Sequence, residues 1–259
     1  MEEEVKLTKK ERRAAKKAEK NAKRRAKRAE RVRNVKLFPA NKKGYHIMHF
    51  MNFLRFLLYP IHGFLRPFKL HGHKKVGKGA YIYVGNHYSI YDIFYPPHTT
   101  REGIHFLSKM SVLEAPVLSK WGARIGAIGV MRDGSDVRTL MDSIKVLKNG
   151  EKICLFPEGT RNKVSDEEFL PFHGGASMMA IKTKTPVIPF VICNRPRFFR
   201  IAHIVFGEPF EFTEYYDRKL TQEDYAEADQ KLVDTLYALR ENFRKERAAK
   251  KNRRKAGTK

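Results

Sequence analysis

From residue 75 onward, short apolar runs alternate with amphipathic stretches, a pattern typical of α/β domains. The runs are four to six residues long and are bounded by glycine, proline or polar residues, as strands are. The predicted strands are residues 80–84, 104–107, 125–130, 153–156, 187–192 and 201–206. The pattern therefore predicts one α/β domain over residues 75–217.

Two helices are predicted from apolar positions at three- and four-residue spacing. The first covers residues 136–149, and Gly150 is placed to end it. Its predicted apolar face consists of Val137, Leu140, Met141, Ile144 and Leu147. The second begins near Thr221, where Asp224 can complete a cap, and a basic tail follows it within residues 218–259.

The stretch from Tyr45 to Phe68, within a docking unit predicted over residues 44–74, is the richest in large apolar groups, but polar residues interrupt it. A spanning helix needs roughly 20 largely apolar residues, and Arg55 near the middle would cost about 2.5–3.5 kcal/mol at the bilayer centre. Helical spacing of the apolar groups predicts two helices that lie in one leaflet, separated near Pro60 and Gly63. A helix that packs in the protein core is the alternative that periodicity leaves open.

The net charge of +25 is concentrated at the two ends of the chain. Residues 1–43 carry 18 basic and 6 acidic side chains, and residues 240–259 carry 10 and 2. We expect residues 1–43 to form a solvated basic arm, and each basic group near an anionic membrane surface is worth about 1 kcal/mol. Nucleic acid is the rival partner, but the arms are poor in aromatic residues and lack a recognised nucleic-acid motif. An anionic membrane surface is therefore the predicted partner.

The two cysteines, Cys154 and Cys193, each lie inside an apolar run and are far apart, which predicts buried thiols in a reducing compartment. The N-terminus is charged from Glu2 onward and lacks the apolar core of a signal peptide. We therefore expect a cytoplasmic location. The pair His71 and His73 has no carboxylate close in sequence, so no metal is predicted.

The first string with catalytic potential follows the first predicted strand, where Gly85 precedes His87 and Asp92. Five residues of helix turn through about 500°, and five residues of strand extend roughly 17 Å, so neither brings these two side chains together. A bent segment does, and the carboxylate then fixes the imidazole tautomer and holds a base ready for a hydroxyl. Taken alone, this spacing is a weak signal and favours a structural histidine with an unrelated surface aspartate.

The second string, residues 156–162, follows the strand predicted at 153–156. It brings Glu158, Gly159 and Arg161 into one tight loop, which offers backbone N–H groups and a fork-shaped cation to a phosphate. Anion binding is the natural interpretation. A polar turn with a Glu–Arg pair is the alternative.

Together the two strings resemble the glycerolipid acyltransferase family, which includes the 1-acylglycerol-3-phosphate acyltransferases. The family's Asn-His-x-Ser-x-x-Asp motif is matched by Asn86, His87, Ser89 and Asp92, and its Phe-Pro-Glu-Gly-Thr-Arg motif is matched by residues 156–161. Further matches follow the family's order over residues 75–195. They are Lys109, Pro116, Gly126, Ile128, Arg132 and residues 187–189.

The resemblance implies a glycerol-3-phosphate acyltransferase-like mixed sheet flanked by helices. It also implies acyl transfer from a thioester to the sn-2 hydroxyl of lysophosphatidic acid, giving phosphatidic acid, with His87 as general base and Asp92 orienting it. No cofactor is implied besides the co-substrate, acyl-CoA or acyl carrier protein. The implied substrate-binding residues are Glu158, Gly159, Thr160, Arg161, Lys109 and Arg132, and the supporting residues are Asn86 and Ser89.

The chain departs from the family at two places on the acceptor side. Residues 109–112 read Lys-Met-Ser-Val where the family has Lys-x-Glu-Leu, and residues 172–175 read Phe-His-Gly-Gly where it has Phe-Lys-x-Gly. Glycerol 3-phosphate or another lyso-lipid therefore stays open as acceptor, as does a non-catalytic lipid- or nucleic-acid-binding module. The implied location is the cytoplasmic side of the cell membrane, with peripheral or monotopic attachment.

Overall fold

The computed structural model describes residues 9–34, 53, 56–57, 60, 63–113, 115, 126–130 and 137–256. Most of the segment predicted to dock on a membrane, from residue 44 to 62, lies outside the described residues, as does Arg132. The helices are α1 (Lys9–Asn34), α2 (Met110–Leu113), α3 (Val137–Lys148), α4 (Ala176–Thr183) and α5 (Gln222–Ala256). The strands are β1 (Phe68–Gly72), β2 (Tyr81–Gly85), β3 (Ile104–Lys109), β4 (Ile128–Val130), β5 (Lys152–Leu155), β6 (Val187–Ile192) and β7 (Ala202–Phe206).

The strands form one seven-stranded mixed sheet in the order β1-β7-β6-β2-β5-β3-β4. From β6 to β4 all neighbours are parallel, whereas β7 is antiparallel to β6 and parallel to β1. The carboxyl ends of β2, β5 and β3 therefore meet at one edge, and the turn from β6 to β7 lies at that same edge. In open α/β sheets this is where ligands bind.

Both faces of the central sheet are buried, which explains why its strands are almost continuously apolar. On β2, Val84 belongs to one core cluster and Tyr83 to the other. The first cluster includes Leu147 of α3 and Leu232 of α5, so these helices cover that face. The second cluster contains the stacked rings of Phe190 and Phe206, with centroids 5.3 Å apart.

The predicted strands agree with the structure to within a few residues. The strand predicted at residues 187–192 is β6, and those predicted at 80–84, 104–107, 153–156 and 201–206 correspond to β2, β3, β5 and β7. The strand predicted at 125–130 is shorter, because β4 covers only Ile128–Val130. The α/β fold class is confirmed.

The first strand is a correction to the sequence analysis. Residues 44–74 were predicted to form docking helices and the domain to begin at residue 75, but β1 pairs in register with β7 from Phe68 to Gly72. Along β1, Lys69 is exposed, whereas Phe68 and Leu70 pack against the second core cluster, which is the two-residue period of a strand. The apolar run before Pro67 concealed this change of period.

The predicted helices are present, with two differences. On α3, Val137 and Met141 are exposed although the spacing placed them on the buried face. The cap of α5 is confirmed, because the Thr221 N–H donates to the Asp224 carboxylate over 2.8 Å and the Asp224 N–H donates back to the Thr221 hydroxyl over 3.3 Å. The prediction that a basic tail follows the helix is wrong in one respect, because the basic residues up to Ala256 are part of α5.

The basic helix α1 lies within the segment expected to form a solvated arm, and its described side chains are exposed. In the described ranges, no helix combines the length and the apolar character that crossing a bilayer requires.

Candidate active site

The first string bends at the carboxyl end of β2, as the sequence analysis predicted. Gly85 ends the strand, and a Cβ at this position would lie 2.5 Å from the ring of Phe190. Glycine is therefore required for the strand to pass this ring. The chain then enters a 3-10 helix, Ile90–Phe94, capped by Ser89, whose hydroxyl accepts the Tyr91 N–H over 3.4 Å.

This bend joins the imidazole of His87 to the carboxylate of Asp92. The Nδ1 atom of His87 lies 2.8 Å from Oδ2 of Asp92. The same oxygen accepts the backbone N–H groups of Tyr88, over 2.6 Å, and Ser89, over 2.7 Å. Because an ionised carboxylate only accepts, Nδ1 carries the proton and the lone pair of neutral His87 is on Nε2.

The ring of His87 is held in place by stacking as well as by the carboxylate. Phe156, the first residue of the second string, lies parallel to it with centroids 4.2 Å apart and planes at 17°. Phe156 in turn contacts Phe190 edge-on at 5.9 Å. The side chain of His87 is 18% exposed. It is held by Phe156 and Asp92 and remains accessible to solvent at this edge of the sheet. The sequence analysis did not single out Phe156, although it begins the matched motif.

The environment of Asp92 is strongly desolvated. Its side chain is fully buried, and its second oxygen, Oδ1, accepts no hydrogen bond from any residue in the described part of the chain. Burial raises the pKa of the Asp92 carboxyl above its ordinary value, while the hydrogen bonds from His87, Ser89 and Tyr88 act in the opposite direction. Water therefore does not stabilise the negative charge of the carboxylate that contacts the His87 imidazole.

Glu158 connects the second string to the first through the backbone. One carboxylate oxygen accepts the His87 N–H over 2.7 Å, and the other accepts the Leu170 N–H over 3.0 Å. Its side chain is buried, and this burial raises the pKa of its carboxyl. Orienting the loop fits these contacts better than the substrate binding implied by the family resemblance, since both oxygens are engaged by main-chain donors.

The three residues after Glu158 are exposed, in the loop that follows β5. Gly159 has φ +61°, and a Cβ there would lie 3.0 Å from the ring of His173, so both backbone and space favour glycine. Arg161 forms no ion pair or hydrogen bond with any described residue. Its guanidinium is therefore available to an anion, in a loop at the same edge of the sheet as His87.

Two asparagines fix the frame around the bend. Asn86 is fully buried, and its side chain both donates to the Ile192 carbonyl, over 3.2 Å, and accepts the Ile192 N–H, over 2.8 Å. Asn162 donates its backbone N–H to the His87 carbonyl over 2.7 Å. Asn86 and Ser89 thus support the bend as expected, whereas the part of Asn162 in joining the two strings was missed.

The remaining predicted substrate-binding residues are less closely tied to the pair. Lys109 is exposed at the end of β3, the strand next to β5, so it lies at the same edge as the loop of Arg161. No described contact joins Lys109 to His87 or Glu158. Thr160 is exposed between Gly159 and Arg161.

His71, His73 and His203, which lie outside this site, are engaged in structural contacts. His71 lies 3.0 Å from His203 between ring nitrogens, and His73 lies 2.8 Å from the Glu208 carboxylate. Among the described residues, no group of three or more His, Cys, Asp or Glu side chains is arranged to hold a metal ion. Both cysteines are free thiols, with Cys154 buried and Cys193 half-buried.

Comparison with known proteins assigns the region that contains this site. Residues 67–193, from the start of β1 to the end of β6, match the family model described as Acyltransferase. This part of the chain is an acyltransferase-family domain. The match includes both strings and the strands that carry them, in agreement with the family that the motifs indicated.

Curated relatives of the acyltransferase domain have the same printed name. The 1-acyl-sn-glycerol-3-phosphate acyltransferase of Saccharomyces cerevisiae is 33% identical over 129 residues, which is 49% of this chain and 43% of that protein. The enzyme of the same name from Borreliella burgdorferi is 34% identical over 132 residues, which is 50% of this chain and 52% of that protein. The chain thus spans about half the length of these relatives.

A solved structure supports the fold of the acyltransferase domain. The crystal structure of the 1-acyl-sn-glycerophosphate (LPA) acyltransferase PlsC from Thermotoga maritima superimposes with a TM-score of 0.56 and 22% sequence identity. The superposition covers 76% of this chain and 78% of that chain. The likeness extends beyond the family match and concerns the fold.

Proposed function

We propose that this protein transfers a fatty acyl group from an acyl thioester to the sn-2 hydroxyl of 1-acylglycerol 3-phosphate, giving phosphatidic acid in phospholipid biosynthesis. The observation that carries the proposal is the hydrogen bond between His87 and Asp92, which leaves Nε2 as a base at the open edge of the sheet. The names of the matched relatives support the same acceptor.

The reaction follows from the position of this base. Nε2 of His87 takes the proton of the acceptor hydroxyl as its oxygen attacks the thioester carbonyl, and the C–S bond breaks as the new ester C–O bond forms. The leaving thiolate of coenzyme A or acyl carrier protein then takes the proton from Nε2. Asp92 stabilises the imidazolium between these two steps. No acyl-enzyme is required, which agrees with the burial of Cys154.

Arg161 holds the acceptor phosphate in this proposal, in the exposed loop that it shares with Gly159 and Thr160. The Gly159 N–H already donates to the Phe156 carbonyl over 3.0 Å, so Gly159 contributes the shape of the loop rather than a hydrogen bond. A guanidinium matches two phosphate oxygens at once and is free of a partner among the described residues. The phosphate and the reacting hydroxyl belong to one small molecule, so fixing one positions the other at Nε2. Lys109, and Arg132 from outside the described residues, are proposed as further contributors of positive charge.

We also propose that the protein acts at an anionic membrane surface on the cytoplasmic side, attached peripherally or monotopically. A lyso-lipid stays in the leaflet, and extracting its chain would cost roughly 0.8 kcal/mol per CH₂. Docking by the apolar segment 44–67 and by basic helix α1 avoids this cost. Deleting residues 1–43 should weaken binding to anionic vesicles, more at low salt than at high salt. A deletion that lowers only nucleic-acid affinity would contradict this account of the arm.

The catalytic proposal is tested by His87→Ala. We expect acyl transfer to fall to the background rate while binding of the folded protein to vesicles stays unchanged. The matched control is His73→Ala, which changes an imidazole that pairs with Glu208 outside this site. Undiminished product formation by His87→Ala would rule out His87 as the base.

The acceptor and the donor are tested separately. Purified protein is incubated with vesicles that contain lysophosphatidic acid or another lyso-lipid, or with glycerol 3-phosphate, and with either acyl-CoA or acyl carrier protein as donor. Mass spectrometry identifies the products. We expect phosphatidic acid as the main product, and a different acylated lipid would assign the alternative acceptor.

A further inference from the structure

The turn between β6 and β7 exposes an unusual number of apolar side chains. Phe198 is 55% exposed, Phe199 is 68% exposed and Ile201 is 44% exposed. Phe199 has φ +55°, a left-handed conformation that is rare and strained for a bulky residue. A fold rarely turns aromatic rings toward water in a strained turn unless they contact something.

These side chains continue into the end of the predicted docking segment. The rings of Phe64, which is 75% exposed, and Phe199 meet edge-on with centroids 6.2 Å apart. The Phe199 N–H donates to the Leu65 carbonyl over 2.9 Å. We call Phe64, Phe198, Phe199 and Ile201 the aromatic tip. It is one patch built from two parts of the chain.

The charged side chains next to the aromatic tip in sequence are all positive. Arg197 and Arg200 flank the two phenylalanines and are exposed, and no acidic residue occurs between Glu168 and Glu208. Ile201 also lines an open groove together with seven Lys and Arg side chains and a single acidic one, Glu246. The groove cations on α5 include Arg247, Lys250, Lys251, Arg253 and Lys255.

Aromatic side chains beside exposed arginines are the composition that suits the headgroup layer of an anionic bilayer. The rings enter the boundary between headgroups and acyl chains while the cations contact lipid phosphates. A protein partner would require a matching acidic and apolar surface, whereas a bilayer supplies both features at once. The charge complementarity therefore favours lipid as the occupant.

Contacts through Arg66 also connect the aromatic tip to the bend that carries His87 and Asp92. The guanidinium of Arg66 lies between the rings of Phe198, at 4.2 Å, and Tyr91, at 4.1 Å, and Tyr91 precedes Asp92 in the 3-10 helix. The turn itself begins just after Ile192, which is bonded to the side chain of Asn86. Lipid contact at the tip would thus bring the open edge of the sheet to the membrane surface.

We propose that the aromatic tip is a lipid-inserting element, separate from residues 1–43, that holds the catalytic edge of the sheet against an anionic bilayer. The proposal rests on the proposed function, because an acceptor that stays in the leaflet must be reached from this edge. It names the β6–β7 turn as a contact surface and lipid phosphates beside apolar acyl chains as its ligand.

The test uses Phe199→Asn, because asparagine tolerates the left-handed conformation and removes the ring. The control is Met141→Asn, which removes a 58% exposed apolar side chain from α3, beside β4 and β5 at the opposite end of the strand order. Partitioning of the full chain onto phosphatidylcholine vesicles containing phosphatidylglycerol is measured by sedimentation. We expect about a tenfold loss for Phe199→Asn and a change below about twofold for the control.

A second variant and a second substrate separate the possible failures. Phe199→Trp should restore partitioning because the indole suits the interface. Acylation of a short-chain, water-soluble 1-acylglycerol 3-phosphate should be unchanged in Phe199→Asn, whereas acylation of lysophosphatidic acid in vesicles should fall. If no form of the protein acylates either substrate, the proposed function fails and the partitioning result still stands.

Two results would overturn the inference about the aromatic tip. The first is partitioning of Phe199→Asn within twofold of the unchanged protein at equal thermal stability. The second is unchanged partitioning together with a change in molecular mass in solution, which would make the patch a contact between protein copies.

Discussion

The carboxylate of Glu158 accepts a hydrogen bond from the backbone N–H of His87 over 2.7 Å, across 71 residues of sequence. The two strings are therefore joined by the protein itself before any substrate binds. This contact separates two roles that the motif alone does not distinguish. A glutamate bound to backbone amides on both oxygens is a positioning residue, and the exposed arginine three residues later is the group offered to an anion.

Glu158→Gln tests the positioning role. An amide has one acceptor oxygen, so one of the two backbone donors, of His87 or Leu170, loses its partner. We expect the free energy of unfolding to fall by about 1–3 kcal/mol and kcat to fall with little change in KM for the acceptor. Urea denaturation and steady-state kinetics measure the two effects. Glu168→Gln, an exposed change in the same loop, is the control, and a raised KM with normal kcat would point to direct substrate contact instead.

Asp92→Asn should separate activity from stability. An amide oxygen in the place of Oδ2 keeps the contacts with His87, Tyr88 and Ser89, but it carries no charge to stabilise the imidazolium. We expect kcat to fall by about 10² to 10⁴. A variant with unchanged kcat would contradict the assigned role of Asp92.

The stability of Asp92→Asn follows from the raised pKa of the buried carboxyl. Above the ordinary carboxyl pKa the unfolded chain releases a proton that the folded protein retains, so ionisation of Asp92 lowers the stability of the fold as pH rises. Asp92→Asn has no carboxyl group to ionise at this position, so it does not lose stability in this way. We expect it to be at least as stable as the unchanged protein at pH 7, with the difference disappearing near pH 4, as measured by denaturation at both pH values.

Arg161→Ala tests the phosphate contact against a matched loss of charge at Lys163→Ala, two residues later and equally exposed. Removing a bidentate cation should raise KM for lysophosphatidic acid by about tenfold or more. Because the side chain is exposed and forms no hydrogen bond or ion pair with the described residues, the free energy of unfolding should change by less than about 0.5 kcal/mol. Equal kinetic effects of the two variants would indicate general surface charge rather than a binding site.

His203 should make the fold sensitive to acid. Burial, Arg247 and Lys69 lower the pKa of His203 to about 4, and its ring faces His71, whose pKa is also lowered by burial and by Lys74, Arg247 and Lys250. The unfolded chain therefore binds more protons between pH 6.5 and 4, so stability is lost as pH falls through this window. His203→Asn should show a smaller loss of stability from pH 7 to 4.5 than the unchanged protein.

The control for the acid effect is His73→Asn on the same edge of the sheet, because His73 pairs with Glu208 outside the His71–His203 contact. Chemical denaturation at a series of pH values measures both variants. His71 and His203 are only partly buried, and solvent screens their charges. The unchanged protein and His203→Asn should therefore differ by about 1 kcal/mol or less in the loss of unfolding free energy. Identical pH curves for His203→Asn and the unchanged protein would contradict it.

Local pattern was sufficient for most strands, because a strand buried on both faces, such as β6, reads as an uninterrupted apolar run. It failed for β1, whose identity depends on pairing with β7, more than a hundred residues away in sequence. The bend that joins His87 to Asp92 followed from the spacing. The contact of Glu158 with the His87 backbone did not, since it exists only because β2 and β5 are neighbours.

The exposed faces were the least predictable feature. Helical spacing placed Met141 in the core, but α3 is covered on one side only and this side chain faces solvent. The residues of the aromatic tip have the composition of a buried strand end and are nevertheless exposed. Such positions depend on which neighbour is present, which no local pattern encodes.

Among the described residues, main-chain amides at positions 87, 88, 89, 162 and 170 donate the hydrogen bonds that hold the His87 backbone, the Asp92 carboxylate and the Glu158 carboxylate in place. Nineteen of the twenty amino acids carry that amide, so Tyr88 and Leu170 can exchange their side chains freely as far as the aim of the imidazole is concerned. Proline alone is forbidden at these places. Substitution at these positions is thus limited by whether the residue has a backbone amide hydrogen, which proline lacks, rather than by side-chain shape.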